Sequence, residues 1–526
     1  MKVSKIFGNG GRAVLWSALF ATLAPALTAQ NVLTWHNDVS RTGQDLNETK
    51  LTTGNVNSTK FGLKSKLTVD GPIYAQPLYV GGVSVAGQGT HNVVYVATEN
   101  DSVYAFDANA SPTTPLWHTS FTGAEVVAVP CKNTGACEIS PTVGITGTPV
   151  IDLTSNTLYV VAFTLESGTY YQRLHALDIT SGAEKFGGPV VIEASVAGVG
   201  SASSGGIVTF TPLLQSQRSA LLEANGVIYV AWASFGDLGN YSGWVMGYDA
   251  ATLAQVSVFN DTPNGSQGGI WQSGGGLSAD STGDVYVTTG NGTFDASTGG
   301  VDYGDSFLRM TSALSITDYF TPDNQLTLAT NDEDLGSSAA LILPTQTGTY
   351  PDEITGAGKQ GIIYLVDRDN MGKYKTNGND VIQTITGSTK GYYASPAYFN
   401  NAVFYSGMAD YLDRFTLTKG KLSKAPVSQS PTMLTAGGTP SISANGTKNG
   451  IVWVVDAPST KGSTAVMHAY EASKVSDELY NTQQNATRDG LGSGITFAAP
   501  TIANGNVYVG NKSGSTGSLY IYGLLK

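Results

Sequence analysis

The chain is poor in cysteine and in charged side chains. Among its 526 residues there are two cysteines, and Asp, Glu, Lys and Arg together make up 13%. Globular proteins average about a quarter charged residues. The two cysteines exclude a disulfide-dense scaffold. The mature chain has no basic cluster and the net charge of the sequence is −12, which argues against nucleic acid or an anionic membrane as a partner.

Long stretches of Ala, Leu, Glu and Lys with helical spacing are also missing, whereas 64 glycines and 26 tyrosines are present. This composition favours short strands joined by tight turns, and it predicts an all-β fold. The five histidines show no metal-ligand spacing. The sequence also lacks a G-x-S-x-G elbow, a P-loop and a CxxCH haem site.

An apolar run near the N-terminus predicts export. Lys2, Lys5 and Arg12 precede an apolar run, residues 13–29, that ends in Leu-Thr-Ala. This order is typical of a secretory signal peptide, so we expect residues 1–29 to be removed. A membrane anchor is the weaker alternative, because the run contains polar residues and is barely long enough to span a bilayer. We therefore expect a periplasmic or secreted mature chain without a membrane span.

The two cysteines, Cys131 and Cys137, lie close together in the segment CKNTGAC. In an exported protein they are predicted to form a disulfide that closes this small loop. A metal site is the alternative reading. It is disfavoured because no histidine or further cysteine lies nearby.

A repeated unit follows a polar lead at residues 30–58. Each copy combines a small residue and a proline, a strand of the type VYVA, a loop, and a strand of the type VYAFD. Repeated four-stranded units are typical of β-propellers. Residues 59–526 are therefore predicted to form a single eight-bladed β-propeller, with residues 60–69 supplying the outer strand of the last blade; a pair of β-sandwiches is the alternative. Eight aromatic residues mark the copies: Tyr95, Tyr159, Tyr229, Tyr286, Tyr364, Tyr405, Trp453 and Tyr508.

Polar and aromatic residues in the third, fourth and fifth units are the candidates for a site, because the short loops of a propeller converge at the centre of one face. They are Asp237 in FGDLG, Trp271 and Asn291 in GIWQSGGGLSADSTGDVYVTTGNG, Asp334 in NDEDLGSS, and Lys359 in GAGKQG. Each has an ordinary alternative. Trp271 would be a core residue, Asp237 and Asn291 turn residues, and Asp334 and Lys359 solvated charges.

The order of these segments resembles that of the quinoprotein alcohol dehydrogenases, eight-bladed propellers that bind pyrroloquinoline quinone with calcium. GDLGNYSGWVMGYD is similar to the family's Gly-acid-Leu-Gly turn. The segment from Trp271 to Asn291 is similar to its floor tryptophan and Gly-Asn-Gly turn. DEDLG partly resembles its DxWD-like motif, and GKQGIIYLVDRDN resembles its basic residue before a FYVLDR-type strand. The resemblance covers residues 226–369.

The resemblance implies a role for each candidate residue. Asp237, Asn291 and Asp334 would be calcium ligands, and Asp334 would also be the general base. Lys359 would donate to the quinone oxygens, and Trp271 would be the aromatic floor under the cofactor. Carboxylate and amide oxygens suit calcium. A carboxylate that removes the alcohol proton suits the oxidation.

The chain also departs from the family's pattern. Asp237 replaces a longer glutamate, the ring of adjacent cysteines is absent, and of the tryptophan motif that joins blades only Trp117 remains. Without a haem site, electrons would pass to a separate acceptor. Two functions therefore stay open. One is a dehydrogenase that oxidises an alcohol or sugar-like substrate; the other is a non-catalytic propeller that binds a protein partner or acts as an assembly scaffold.

Overall fold

The structure is a computed structural model, and the predicted signal peptide lies outside its described residues apart from Met1. No helix in the described part of the chain is long and apolar enough to cross a membrane. The described residues are Met1, 30–109, 114–387, 389–459 and 463–526.

The chain folds into consecutive, mainly antiparallel sheets, which confirms the predicted all-β class. Within the described residues there are nine sheets, and eight of them contain four or more strands. We number these eight from 1 to 8 in chain order of their inner strands. Sheet 1 contains Asn31–Val32, Leu78–Val85, Gly89–Thr98, Ser102–Asp107 and Trp117–Ser120. Sheet 2 contains Val126–Pro130, Thr142–Val143, Val150–Asp152, Thr157–Glu166, Thr169–Asp178 and Val190–Val191. Sheet 3 contains Gln215–Ser216, Leu222–Ala224, Val227–Ser234, Trp244–Asp249 and Gln255–Asn260.

Sheets 4 to 8 contain the following strands, given in chain order. Sheet 4 contains Ser278–Ala279, Val285–Thr288, Phe307–Met310 and Ile316–Phe320. Sheet 5 contains Leu341–Ile342, Glu353–Ala357, Ile363–Asp367 and Gln383–Ile385. Sheet 6 contains Ala397–Phe399, Ala402–Ser406, Leu412–Thr416 and Ser428–Gln429. Sheet 7 contains Gln44–Asp45, Ser441–Asn445, Lys448–Asp456, Val466–Glu471 and Glu478–Asn481. Sheet 8 contains Phe61–Val69, Thr501–Ala503, Asn506–Ser513 and Thr516–Leu524.

The other elements are short. The three-stranded sheet contains Ser195–Ala197, Ser203–Ser204 and Ile207–Thr209. The α-helices are Gln325–Asn331 and Ala486–Asp489. The 3-10 helices are Cys131–Asn133, Gln272–Gly274, Ala296–Thr298, Leu335–Ser337 and Thr482–Asn485. A succession of four-stranded antiparallel sheets is the arrangement of a β-propeller.

The core lies between neighbouring sheets. One apolar cluster joins Tyr229 and Val245 of sheet 3 to Val285 and Val287 of sheet 4. Every residue of Val285–Thr288 is buried. A strand that is covered on both faces reads as a continuous apolar run, which explains the VYV segments of the repeat.

One marker aromatic does not lie where the repeat predicts it. With the lead strands Asn31–Val32 and Gln44–Asp45 left out of the count, seven of the eight lie on the second strand from the inner edge of their sheets. Tyr364 instead lies on the third strand, Ile363–Asp367. In sheet 5 the second strand is Glu353–Ala357, which carries no aromatic side chain. The repeat therefore places Tyr364 one strand too close to the inner edge of sheet 5. In the structure its strand, Ile363–Asp367, pairs as a hairpin with the second strand, Glu353–Ala357.

The two ends of the chain meet in sheet 8. Phe61–Val69 pairs antiparallel with Thr516–Leu524, so the predicted outer strand is confirmed. This pairing covers a strand edge that would otherwise be free.

The lead segment, residues 30–58, crosses the centre where the inner strands converge. Successive lead carbonyls accept hydrogen bonds from inner-strand amides of sheets 2, 4, 5, 6 and 7, because the lead runs past each sheet in turn. The donor and acceptor pairs are Ile151–Leu33, Ala279–Val39, Ile342–Ser40, Tyr398–Thr42 and Ile442–Gly43. The buried Arg41 side chain donates to the carbonyl oxygens of Leu277 at 2.7 Å and Leu221 at 3.2 Å. Burial lowers the pKa of Arg41 to about 9.

Candidate functional site

The structure brings all five predicted residues together. Asp237, Trp271, Asp334 and Lys359 line one cavity of about 610 Å³. Asn291 is buried directly beside Asp334, with 5% of its surface exposed. They come from loops of sheets 3, 4 and 5, because the short loops at one end of neighbouring sheets converge.

Asp334 is the buried acid of the cavity. It precedes the short helix Leu335–Ser337, and 4% of its surface is exposed. Its Oδ1 accepts a hydrogen bond from the Asn291 backbone N–H at 2.7 Å, and its Oδ2 lies 2.7 Å from Lys359 Nζ. Burial raises the pKa of Asp334, and the Lys359 charge only partly opposes this effect. Asp334 is therefore a stronger base than a solvated aspartate.

Lys359 lies in the loop between Glu353–Ala357 and Ile363–Asp367. Its Nζ pairs with both Asp334 at 2.7 Å and Asp332 at 2.6 Å. Burial alone would lower the pKa of Lys359, but the two carboxylates outweigh it and raise the pKa above the ordinary value. Lys359 therefore stays cationic at neutral pH.

Asn291 belongs to the Gly-Asn-Gly turn after Val285–Thr288. Its Nδ2 donates to Asp332 Oδ1 at 2.9 Å, whereas its buried Oδ1 has no hydrogen-bond partner among the described residues. A buried amide oxygen without a partner is costly, so it is a position where a ligand would be stabilised. A side chain at Gly290 would overlap Asp334 Oδ1 and come within 2.8 Å of Trp271 Cδ1. The turn therefore needs glycine there.

Asp237 lies in the loop between Val227–Ser234 and Trp244–Asp249, with a left-handed φ of 57°. Its Oδ1 accepts a hydrogen bond from the Tyr241 hydroxyl, and its backbone N–H donates to Ser234 Oγ at 3.0 Å.

Cys131 and Cys137 form a disulfide whose Cα atoms are 4.9 Å apart. Cys131 packs in one apolar cluster with Phe235, so the disulfide loop supports the Asp237 loop.

The donor types suit a calcium ion. Asp237 and Asp334 offer carboxylate oxygens and Asn291 offers the unpartnered amide oxygen, and Ca²⁺ prefers such oxygen ligands. Each carboxylate oxygen has two lone pairs, so Asp334 can accept a further contact beside Lys359. Among the described residues there is no group of three or more His, Cys, Asp or Glu side chains arranged for a metal. A calcium site here would therefore need the amide oxygen of Asn291 in addition to the two carboxylates.

Arg218, Tyr393 and Phe497 are among the cavity-lining residues that were not predicted from the sequence. The rings of Tyr393 and Phe497 stack at a centroid distance of 5.9 Å and an interplanar angle of 20°. Lys359 Nζ lies 6.0 Å from the Tyr393 ring centroid, and the Arg218 guanidinium lies 5.4 Å from that of Phe497. They come from sheets far apart in the sequence, in segments without a recognisable motif. No local signal in the sequence points to them.

No protein-family model and no curated protein sequence matches the chain. Solved structures do match. The quinohemoprotein alcohol dehydrogenase ADHIIG from Pseudomonas putida HK5 matches with a TM-score of 0.63 at 13% identity, over 94% of this chain and 80% of that one. The quinohemoprotein alcohol dehydrogenase from Comamonas testosteroni gives 0.58 at 14%, over 94% and 80%. A europium-containing methanol dehydrogenase gives 0.62 at 14%, over 94% and 98%.

The chain has the fold of these dehydrogenases. The predicted resemblance is thereby confirmed for the fold, over nearly the whole chain rather than residues 226–369 alone. At this level of identity the match carries no information on activity. The case for a function depends on the geometry of the cavity.

Proposed function

We propose that this chain is an exported, eight-bladed quinoprotein dehydrogenase that oxidises an alcohol or sugar-like substrate. The eight sheets of four or more strands would be its blades. The observation that carries the proposal is the group Asn291, Asp334 and Lys359. It combines a buried carboxylate and a cation, which line the cavity together with Trp271, and the unpartnered amide oxygen of Asn291, whose backbone N–H bonds to that carboxylate.

The cavity residues suit pyrroloquinoline quinone with calcium. Bound there, the quinone would accept two electrons from the substrate. The Trp271 indole would provide the flat apolar surface beneath it. Lys359 Nζ would donate to the quinone oxygens, and Asn291 Oδ1 with the carboxylates of Asp237 and Asp334 would hold the cation.

Asp334 would take the proton of the substrate hydroxyl. Its raised pKa makes it a better base than a solvated aspartate, and burial keeps bulk water from competing for it. Lys359 fixes the orientation of the carboxylate by its contact with Oδ2. Because the base works only when ionised, turnover should be lost at a pH low enough to protonate Asp334.

Titration of the purified mature protein tests the proposal. Pyrroloquinoline quinone added with Ca²⁺ should bind one molecule per chain, measured by calorimetry and by quenching of tryptophan fluorescence. The loaded protein should then reduce an artificial dye with some alcohol. If the folded protein binds no quinone, the proposal is wrong.

A non-catalytic scaffold makes the opposite prediction for variants. Under that alternative, Asp334→Asn and Lys359→Ala would leave the biological activity of the protein unchanged. Under the dehydrogenase proposal both variants lose dye reduction, and Asp334→Asn still binds the quinone.

A further inference from the structure

Arg218 is a charged residue of the cavity that the proposed reaction does not use. It lies just before Leu222–Ala224 of sheet 3, is half-buried, and lines the same cavity as Trp271 and Lys359. No ion pair within 4 Å and no hydrogen bond joins its guanidinium to any described residue, although its charge acts to lower the pKa of the buried Glu99 carboxyl. A guanidinium has five N–H donors, so a half-buried one without a partner is available to an anion.

The other arginines of the described chain are all engaged. They bond to carboxylates or to backbone carbonyls, as is usual for buried or half-buried guanidinium groups. These residues are Arg41, Arg173, Arg309, Arg368, Arg414 and Arg488. Arg218 differs from all of them, and it is the one that faces the cavity.

A row of stacked groups fixes the position of Arg218 relative to the reactive pair. The Arg218 guanidinium lies 5.4 Å from the Phe497 ring centroid, and the Phe497 and Tyr393 ring centroids are 5.9 Å apart. Lys359 Nζ lies 6.0 Å from the Tyr393 ring centroid. Phe497 has a left-handed φ of 73°, a conformation that costs a non-glycine residue about 1–2 kcal/mol. A flat ligand along the row would have one end at Lys359 and the other at Arg218.

The charges of the cavity would orient such a ligand. Its other charged residues are four acids and one lysine: Glu138, Asp237, Asp332, Asp334 and Lys359. The lysine is already paired with Asp332 and Asp334. An anionic group is therefore repelled along most of the wall and attracted at Arg218.

We propose that Arg218 binds a carboxylate of the ligand in this cavity and so directs the reacting end toward Asp334. A planar guanidinium matches a carboxylate with two parallel hydrogen bonds. The inference rests on the proposed function for the identity of that ligand. The carboxylate belongs either to the quinone cofactor or to an acidic substrate.

The test compares pyrroloquinoline quinone with its trimethyl ester, which has the same rings but no free carboxylate. In the wild-type protein the free acid should bind more tightly than the ester. Arg218→Gln should weaken binding of the acid at least tenfold, by loss of a charge-assisted bond, and leave the ester unchanged. Arg218→Lys should recover part of the difference. Arg173→Gln, which removes an arginine outside the cavity, should change neither affinity.

A second arm identifies the source of the carboxylate. If the acid binds equally well to Arg218→Gln, KM is compared for 4-(hydroxymethyl)benzoate and for benzyl alcohol. A rise in KM for the benzoate alone assigns the carboxylate to the substrate and supports the proposal. No selective change in either arm, or equal losses for acid and ester, overturns it.

The failure of the proposed function would be recognised separately. If the wild-type protein binds neither the quinone nor its ester, the dehydrogenase proposal is wrong. Phthalate is then the probe for Arg218, measured by calorimetry. Binding to wild type that is lost in Arg218→Gln supports the carboxylate site, and absence of binding to wild type overturns it.

Discussion

Two buried ion pairs lie at opposite ends of the strand Ile363–Asp367. Lys359 before the strand pairs with Asp334, and Arg368 after it pairs with Asp280. In both pairs the closest nitrogen–oxygen distance is 2.7 Å and the carboxylate side chain is 6% exposed. By distance and burial alone the two pairs are indistinguishable.

Their hydrogen bonds differ. Asp280 accepts from the N–H and hydroxyl of Thr282, the Asp284 N–H, the Tyr286 hydroxyl and Arg368. Burial raises the pKa of Asp280, but these donors outweigh it and the pKa is lowered.

Among the described residues Asp334 accepts from only the Asn291 N–H and Lys359, so burial dominates and its pKa is raised. A buried carboxylate that accepts many hydrogen bonds has a lowered pKa and serves to stabilise the fold. A buried carboxylate with few donors keeps a raised pKa and can still accept a proton.

The largest expected effect is on catalysis. Asp334→Asn should lower dye-linked alcohol oxidation by about 10³-fold, because general-base catalysis contributes on that scale. Circular dichroism and quinone binding should be unchanged. Asp280→Asn is the control, and its folded fraction should turn over like wild type. Equal losses in the two variants would contradict the distinction between the pairs.

The next effect is on stability. Asp280→Ala should lower the free energy of unfolding by about 3 kcal/mol, because it leaves the buried Arg368 without its main partner. Asp334→Ala should cost less than half of this, since the folded state holds that carboxylate with a raised pKa. Denaturant unfolding measures both values. A larger loss of unfolding free energy for Asp334→Ala than for Asp280→Ala would show that the Asp334–Lys359 pair, and not the Asp280–Arg368 pair, is the structural one.

Gly290 should be a sensitive glycine of the site. In Gly290→Ala the new methyl group would collide with Asp334 and Trp271, so we expect a loss of about 2 kcal/mol in stability from overpacking. Quinone affinity should fall as well. Gly123→Ala is the matched control, because no atom lies within 4 Å of the added carbon. Unfolding curves and fluorescence titrations of both variants provide the check.

The last effect depends on pH and concerns the buried carboxyl of Glu99, which forms no ion pair among the described residues, although the charge of Arg218 acts to lower its pKa. Burial raises the pKa of Glu99 to about 7, against an ordinary value of 4.5. The folded state therefore keeps a proton that the unfolded state loses. The stability from this group is complete below about pH 4.5 and is lost as the pH rises to about 7, with a slope of about 1.4 kcal/mol per unit at most. Glu99→Gln should remove this slope, and thermal melts across that pH range measure it.

Much of the site could be predicted because each of its five residues lies in a short local motif. Gly-Asn-Gly reads as a turn from its own residues, and Asp237 and Lys359 each lie in a glycine-flanked loop beside a strand. The register of sheet 5 could not be predicted from the position of Tyr364. Strand pairing is set by the neighbouring strand, and the aromatic residue only marks a buried face.

The repeated strands, the order of the candidate residues and the proximity of the two cysteines could be read from the amino-acid sequence, because each depends on residues that are close together along the chain. The row from Arg218 to Lys359, the path of the lead segment past the inner strands and the unpartnered oxygen of Asn291 become visible only in the folded chain. These depend on contacts between residues up to several hundred positions apart. Residue type cannot show whether a buried polar atom is satisfied, because that depends on which donors the fold brings to it.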